Sequence, residues 1–333
     1  MNCPRYLLMR PGAIGDAIVA LPVVQRLKAC FPGAHVQLVV GGQAAELLSG
    51  RCEADAVSSY EEARWAALFA QDPTPEARAF FRTLTGMILY LAGKGDDLGQ
   101  RLAAALGIEV IVWPPSPPLG ARLPISLHLQ GALASLGIHP RLEWPRITLT
   151  AGDRAFAEEY WRSHSLPISH QPAVALHPGS GSSKKNWPAA RYAELAGLLH
   201  REHGARILIL VGPADETPLR EMLANWRGEP PVVVEGLTLP QVASLIARCR
   251  CLVGNDSGLA HLAAALGVPT VVIFGPTDPV IWAPAGPAVA AIAAQAPCAP
   301  CSPEQRRSCS RLDCLESIGV QQVYSQCATI FGG

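Results

Sequence analysis

The sequence has no excess of charge of either sign and few charged residues overall. Lysine plus arginine number 27, aspartate plus glutamate also number 27, and together they make up 16% of the chain. Such a balance creates no strong field toward polyanions, so we expect no nucleic-acid partner.

Long uncharged apolar runs are also missing. No run of about 18 residues is both uncharged and continuously apolar, as a membrane-spanning helix requires, so we expect no transmembrane segment. Arg10, Pro11 and Asp16 interrupt the first apolar stretch before it reaches the length of a signal-peptide core. These absences predict a cytoplasmic protein.

Low-complexity segments are absent as well, and hydrophobic residues account for 49% of the 333 residues, which indicates a globular chain with substantial cores. At about 150 residues per domain, this length predicts two domains. We place the boundary near residue 168, because the segment 163–172 is rich in proline, histidine and serine and follows a helical pattern.

Short apolar runs alternate with amphipathic segments in the second half, which is typical of βαβ units around a parallel sheet. The predicted strands are 173–176, 206–211, 232–235, 251–253 and 270–274, and the predicted helices are 188–203, 217–226, 239–248 and 258–266. The first half begins in the same way, with strands 6–9 and 35–40 around a helix over 16–30. Residues 53–145 have a weaker pattern, with proline-rich stretches that favour irregular loops.

We therefore predict an α/β fold of two Rossmann-like, doubly wound domains, 1–168 and 169–333, that face one another across a cleft. Sheets of this kind bind ligands at the carboxyl ends of their strands. The candidate functional segments all follow predicted strands, so we expect them to line that cleft.

The segment 255–261 follows the fourth predicted strand of the second half. Asp256 and Ser257 are natural N-cap residues, and Gly258 lets a ligand approach the backbone, so the first N–H groups of the next helix can bind a phosphate. His261 lies one turn into that helix, where it can reach the same ligand. The alternative is an ordinary helix cap followed by a core histidine.

A second loop, 177–187, follows the first strand of that domain and contains Gly179, Ser180, Lys184 and Lys185. Small residues, hydroxyls and lysines before a helix are typical of a phosphate cradle. The loop is not a Walker motif, because Gly-Lys-Ser/Thr is missing, and not a dinucleotide fingerprint, because Lys184 occupies the position of the third glycine. A flexible surface loop is the alternative.

Two further turns follow strands. In the first half, Gly12 and Gly15 make the loop pliable, and Asp16 stands at the start of the helix, where a carboxylate suits a general base for an incoming hydroxyl. The alternative is that Asp16 only caps its helix. The segment 275–279 is a rigid Gly-Pro turn that either lines the cleft or is merely a turn.

Four of the ten cysteines cluster late in the chain, as Cys298, Cys301, Cys309 and Cys314. Their number and close spacing fit a four-thiolate site for structural zinc or iron. Free thiols in a loop and a single disulfide are the alternatives.

Together these motifs resemble glycosyltransferase family 9, the heptosyltransferases of bacterial lipopolysaccharide synthesis. The residues that carry the resemblance are the loop 12–16 with Ala20, Leu21 and Pro22; His177, Pro178, Gly179, Ser180, Lys185, Trp187 and Pro188; Asp256, Ser257, Gly258 and His261; and Phe274, Gly275, Pro276 and Thr277. The resemblance implies a GT-B fold. Domain 1–168 would bind the acceptor, and domain 169–333, with its Cys-rich C-terminal segment, would bind the nucleotide-sugar donor.

Residue by residue, the resemblance implies that Asp16 is the catalytic base and that Lys185 stabilises the departing diphosphate. The donor-binding residues that it implies are Gly179, Ser180, Glu216, Asp256, Ser257, Gly258 and His261, and the acceptor-loop residues are Gly12 and Gly15. The implied reaction is inverting transfer from ADP-heptose, or a related nucleotide sugar, to a lipopolysaccharide inner-core acceptor. That acceptor is a glycolipid at the inner leaflet, so a peripheral position on the inner membrane is expected.

No cofactor is expected for catalysis. The sequence has no Asp-X-Asp triplet of the kind that metal-dependent transferases use, and Lys185 with a helix N-terminus can replace a divalent cation. Ser257 stands where the family often has threonine, and it keeps the hydroxyl. Some family members have a similar late Cys-rich segment, which resembles a small structural metal finger.

Rival functions remain open at this point. A protein heptosyltransferase that modifies an autotransporter would suit the Cys-rich tail, and a non-catalytic nucleotide-sugar-binding module would need the donor site but not Asp16. A dinucleotide-dependent oxidoreductase fits less well, since neither glycine-rich loop continues into the expected fingerprint.

Overall fold

The computed structural model describes residues 3–70, 74–93, 95–164, 166 and 171–332. The chain divides into two compact units, Met1–Thr148 and Leu149–Gly333, which are treated separately below. Residue 168, near which the sequence places a domain boundary, lies outside the described residues. The division into units falls earlier because the helix Ala151–Ser163 packs on the helix Leu239–Ile246 of the second unit.

A five-stranded parallel sheet organises the first unit, in the order β3-β2-β1-β4-β5. Its strands are β1 Arg5–Met9, β2 His35–Val40, β3 Ala56–Ser59, β4 Gly86–Tyr90 and β5 Glu109–Trp113. Its helices are α1 Ile14–Ile18, α2 Leu21–Cys30, α3 Gly42–Leu48, α4 Pro75–Phe81, α5 Gly95–Leu106 and α6 Ile125–Gln130. The central strands β1 and β4 are almost continuously apolar, as strands covered on both faces are.

The region 53–145, whose sequence pattern is weak, contains β3, β4, β5 and α4 to α6, and its proline-rich segment 114–124 is neither helix nor strand. One expectation for the first unit was wrong. The helix predicted over 16–30 is divided into α1 and α2. Pro22 explains the division, because it lies in the first turn of α2 and has no N–H to donate to a preceding turn.

The second unit contains a six-stranded parallel sheet in the order β11-β10-β9-β6-β7-β8. Its strands are β6 Ala173–His177, β7 Arg206–Leu210, β8 Val232–Val234, β9 Cys251–Asn255, β10 Thr270–Phe274 and β11 Val289–Ala293. Its helices are α7 Ala151–Ser163, α8 Ala189–His203, α9 Glu216–Ala224, α10 Leu239–Ile246, α11 Gly258–Ala265, α12 Pro279–Trp282, α13 Pro303–Ser308, α14 Asp313–Glu316 and α15 Val320–Gly332. The predicted strands and helices of this half are present with shifts of one or two residues at their ends.

The central strands of the second sheet position the candidate site. Strands β6 and β9 pair in parallel, with His177 opposite Gly254 at their carboxyl ends. Because parallel neighbours end at the same edge of a sheet, the loop after β6 and the segment that leads into α11 begin side by side. Within the described ranges, no helix combines the length and the apolar character needed to cross a bilayer.

Candidate functional site

A buried asparagine at the end of β9 holds the loop that follows β6. Asn255 Nδ2 donates to the carbonyl oxygens of Pro178 and Gly179 at 2.9 and 3.0 Å, and Asn255 Oδ1 accepts from the Trp187 amide at 2.9 Å and the Tyr192 hydroxyl at 3.1 Å. Both N–H groups and both carbonyl lone pairs of the side chain are therefore used. The loop 178–186 is fixed to the neighbouring strand at its two ends.

Asp256 joins two of the predicted motifs. Its Oδ2 lies 3.2 Å from Lys185 Nζ and accepts a hydrogen bond of 2.8 Å from the Thr277 hydroxyl. Thr277 belongs to the Gly-Pro turn after β10, so this turn does reach the site. The Lys185 side chain is 20% exposed, which leaves its ammonium group accessible to a ligand while the carboxylate holds it in place.

Three buried side chains form a hydrogen-bonded series beneath the start of α11. His177 Nε2 lies 3.1 Å from Asp215 Oδ2, and His177 Nδ1 lies 3.1 Å from Ser257 Oγ. Asp215 Oδ2 also accepts a 2.8 Å hydrogen bond from the Gly212 amide. Burial raises the pKa of Asp215, but the hydrogen bond and charge of His177 and the Gly212 amide outweigh burial and lower it. Asp215 is therefore a carboxylate at neutral pH.

The predicted donor residues of the β6 loop contact other protein groups. A Cβ atom at Gly179 would lie 1.7 Å from Asp215 Oδ1, so this glycine makes room for the buried carboxylate. Ser180 Oγ lies 2.7 Å from the Ser182 carbonyl oxygen and 2.6 Å from Asn186 Oδ1, and it braces its own loop. Its role in the structure is thus to fix the loop's shape.

The remaining predicted donor residues lie on two helices. Glu216 is the first residue of α9 and its side chain is 90% exposed, with Arg220 at 3.8 Å. Gly258 is the first residue of α11, Ser257 is its N-cap, and His261 is buried in its first turn. Lys185, Asp256, Ser257 and Gly258 are therefore brought together at one sheet edge.

In the first unit, both oxygens of the Asp16 carboxylate have partners. Oδ1 accepts a hydrogen bond of 2.5 Å from Arg10 Nη2, and Oδ2 accepts one of 3.0 Å from the Ala13 amide. Asp16 therefore caps α1, as the alternative interpretation required. Its side chain is also 31% exposed, so the carboxylate can meet a third partner.

Gly12 and Arg10 shape the surroundings of Asp16. Gly12 has a φ of +139°, and a Cβ atom there would lie 2.5 Å from Asp16 Oδ2, so glycine is required on both counts. Gly15 lies within α1. The Arg10 guanidinium is buried and also donates to the carbonyl oxygens of Pro11 and Pro115 at 2.9 and 3.3 Å. Burial lowers the pKa of Arg10, and the charge of Asp16 opposes that effect.

The four late cysteines line one cavity of about 240 Å³. All ten cysteines are free thiols. Hydrogen bonds from the Leu312 and Arg311 amides lower the pKa of Cys309, whereas burial and the neighbouring thiols raise the pKa of Cys301 and Cys314. Among the described residues, no three His, Cys, Asp or Glu side chains lie close enough together to hold a metal ion. As placed, the thiols do not fit the predicted zinc or iron.

Sequence reasoning missed several residues that build these sites. It assigned no role to Asn255, Asp215, Thr277 or Arg10. Asn255 could have been noticed, because a fully buried asparagine at the end of an apolar strand requires partners for every polar atom. The partners of Asp215 are a histidine 38 positions away and a backbone amide, so the pattern contains no signal for it. Arg10 donates to two backbone carbonyl oxygens and to Asp16, which lies 6 positions further along the chain.

Comparison with known proteins identifies the relatives of this chain. The family described as glycosyltransferase family 9 (heptosyltransferase) matches residues 124–311, which is more than half of the chain. This chain belongs to glycosyltransferase family 9. That membership confirms the resemblance seen in its motifs.

Two family members show the extent of the similarity. Lipopolysaccharide heptosyltransferase 2 of Escherichia coli (strain K12) is 34% identical over 143 residues, 41% of this chain and 40% of that protein. Lipopolysaccharide heptosyltransferase 1 of Salmonella typhimurium (strain LT2) is 27% identical over 290 residues, 83% of this chain and 89% of that protein. The chain thus matches about two fifths of the length of the first relative and most of the second.

Solved structures extend the likeness over nearly the whole chain. The E. coli ADP-heptose LPS heptosyltransferase II is similar with a TM-score of 0.73 at 20% identity, covering 98% of both chains. The iron-containing dodecameric glycosyltransferase TibC from enterotoxigenic E. coli is similar with a TM-score of 0.62 at 16% identity, covering 99% of this chain and 76% of that one. At these identities the likeness concerns the fold, and the predicted GT-B fold is confirmed.

Proposed function

We propose that this family 9 chain is an inverting glycosyltransferase that moves heptose, or a related sugar, from ADP-heptose to a lipopolysaccharide inner-core acceptor. The observation that carries the proposal is the position of Lys185, which Asp256 holds next to the start of α11 at the ends of β6 and β9. The choice of heptose as the transferred sugar and of lipopolysaccharide as the acceptor rests on the names of the relatives. The acceptor would be a glycolipid, and the enzyme would bind the inner membrane only peripherally.

The donor half of the proposal concerns the diphosphate. As the anomeric carbon separates from the diphosphate, negative charge grows on the leaving oxygens, and fixed positive groups stabilise that charge most effectively. Lys185 supplies a full positive charge, and the N-terminus of α11 supplies N–H groups with a favourable dipole. In this proposal these two features take the place of a divalent cation, and Gly258 lets the diphosphate approach the backbone.

The acceptor half of the proposal concerns Asp16. The acceptor oxygen forms a bond to the anomeric carbon while the bond from that carbon to the diphosphate breaks, and Asp16 takes the hydroxyl proton. A carboxylate offers about four lone-pair positions, and two of those of Asp16 are used by Arg10 and Ala13. The remaining lone pairs and the partial exposure support a role as general base.

One experiment tests the donor half. Thermal-shift measurements with ADP, UDP and GDP sugars report the donor, because a ligand that binds only the folded state raises the melting temperature. We expect ADP to give the largest shift. A clear preference for UDP would remove the heptose assignment and leave the transferase.

The variant Asp16→Asn separates the transferase from a non-catalytic nucleotide-sugar-binding module. It keeps the size of the side chain and removes the base, so we expect transfer to be abolished while ADP affinity stays within about threefold of wild type. Near-normal turnover by this variant would contradict the mechanism. The alternative acceptor is a protein. Transfer of the sugar to a polypeptide, with none to the core glycolipid, would establish that alternative.

Zinc or iron at the four cysteines stays a prediction that takes no part in the proposed chemistry. The shared cavity supports it, because four cysteines line it and cysteine sulfur is a ligand of zinc and iron. The spacing of the thiols speaks against a formed site. Elemental analysis of the purified chain decides the question: about one metal ion per chain, lost in Cys301→Ser, is the outcome that the prediction requires.

A further inference from the structure

The hydrogen-bonded series of Asp215, His177 and Ser257, which we call the histidine chain, has a definite direction. Asp215 is ionised and can only accept, so the proton on His177 that faces it must be on Nε2. When the ring carries this proton alone, Nδ1 is an acceptor, and the Ser257 hydroxyl, 3.1 Å away, donates to it.

This direction has a consequence for α11. A serine at the N-cap normally accepts a hydrogen bond from an N–H group of the first helical turn. Ser257 occupies the N-cap with an extended backbone, φ −150° and ψ 165°, yet its side chain makes no capping hydrogen bond. The hydroxyl is instead turned toward His177.

We propose that Asp215 and His177 are positioning residues that keep the Ser257 hydroxyl away from the first turn of α11, so that the N–H groups of Gly258 and Leu259 stay available to the donor diphosphate. The N–H groups of Ala260 and His261 already donate to the Ser257 carbonyl oxygen. The inference rests on the proposed donor site at this helix. Neither residue is assigned a contact with the donor or a part in proton transfer. Their effect passes through Ser257.

The surroundings of Asp215 support a dedicated role. An ionised carboxylate is costly to bury unless it has several hydrogen bonds. The fold supplies them through His177 and the Gly212 amide, and it leaves space for the second oxygen by having glycine at position 179. Three positions, Asp215, Gly212 and Gly179, thus serve to hold the His177 ring in one orientation.

The test is a double-mutant cycle on ADP affinity, measured by titration calorimetry. His177→Phe keeps a ring of similar size but removes the acceptor, so Ser257 becomes free to cap α11 and compete with the ligand. A cap contributes about 1 kcal/mol, so ADP affinity should fall about fivefold. In the Ser257→Ala background there is no hydroxyl to release, so the same substitution should have no further effect.

A second variant serves as the conservative control. Asp215→Asn can place its carbonyl oxygen where Oδ2 now accepts from His177 and Gly212, so it should retain ADP affinity close to wild type. Asp215→Leu removes that acceptor and should weaken ADP binding as His177→Phe does. An equal loss with and without the Ser257 hydroxyl would overturn the inference, because His177 would then act only as a structural residue.

A spectroscopic measurement on the unaltered protein keeps the inference testable if the variants fail to fold. Nitrogen-15 NMR of the histidine rings should show His177 as the neutral tautomer with the proton on Nε2. A proton on Nδ1 would overturn the inference, since Ser257 would then be the acceptor. If the wild type binds none of ADP, UDP and GDP while the His177 tautomer is as expected, the proposed donor site is wrong and the inference is wrong with it. If the wild type binds ADP but His177 has the proton on Nδ1, only the inference is wrong.

Discussion

Replacing Lys185 by methionine removes the charge that the account places at the departing diphosphate. Methionine keeps most of the length of the side chain and is neutral. The present partner of the ammonium group is Asp256 Oδ2 at 3.2 Å, and Asp256 keeps its hydrogen bond from Thr277 in the variant. Because the pair is largely buried, the substitution leaves the Asp256 carboxylate without its cation, and we expect the variant to fold with a free energy of unfolding lowered by about 3 kcal/mol.

The size of the effect follows from the charge and its surroundings. Two unit charges about 4 Å apart interact by about 4 kcal/mol at an effective dielectric constant of about 20. Asp256 offsets part of the positive charge, so we take about half of that value, ~2 kcal/mol, for the transition state. This corresponds to a fall of about 30-fold in kcat/KM.

The assay is ADP release under saturating and limiting donor, so that kcat and KM are separated. Because the leaving diphosphate gains charge as the bond breaks, most of the loss should be in kcat. Lys184→Met is the matched control, since it removes the same charge from the adjacent residue. Lys184 Nζ donates to the carbonyl oxygens of Arg306, at 3.0 Å, and Arg307, and it has no contact with Asp256 among the described hydrogen bonds.

An equal effect of the two substitutions on kcat/KM would contradict a specific role for the Lys185 charge. We expect Lys184→Met to lower kcat/KM by less than about threefold, because its charge is held away from the site. If Lys185→Met also stayed within about threefold of wild type, the ammonium group would have no part in stabilising the leaving group.

Two further predictions concern the groups that support the site. Gly179→Ala should lower both the melting temperature and ADP affinity, because the added Cβ would lie 1.7 Å from Asp215 Oδ1. Gly181→Ala is the control and should be tolerated, since nothing lies within 4 Å of its added Cβ. Equal melting temperatures for the two variants would contradict this prediction. Asn255→Ala should lower the free energy of unfolding by about 3–5 kcal/mol in urea titrations, because it leaves buried backbone groups without partners. Asn225→Ala, which loses one exposed hydrogen bond to the Glu221 carbonyl, is the control and should cost less than about 1 kcal/mol.

The second unit could be predicted well because its strands are short runs of valine, leucine and isoleucine between amphipathic helices. Strand β10 agrees with the prediction at both ends. The middle of the first unit was not predicted, although β4 and β5 are apolar runs like those of the second unit. Strand β3 has only four residues, most of them small or polar, so it lacks the periodicity that marks a strand.

The candidate site was predictable where a motif is local. Asp256, Ser257 and Gly258 are adjacent in sequence and introduce a helix, and Lys185 precedes one, so strand-end positions were sufficient to place them. The histidine chain is different, because His177 lies 38 positions from Asp215 and 80 from Ser257. Only the folded sheet brings these residues together, and no composition or spacing rule applies to them.

The central claim is inverting transfer of heptose from ADP-heptose. The most direct measurement is the anomeric configuration of the product, determined by NMR after the purified chain has acted on ADP-heptose and a heptose-free core glycolipid. The account predicts that each ADP released corresponds to one new glycosidic bond, with the configuration opposite to that of the donor. A product with the donor's configuration, or the absence of any new bond, would contradict it.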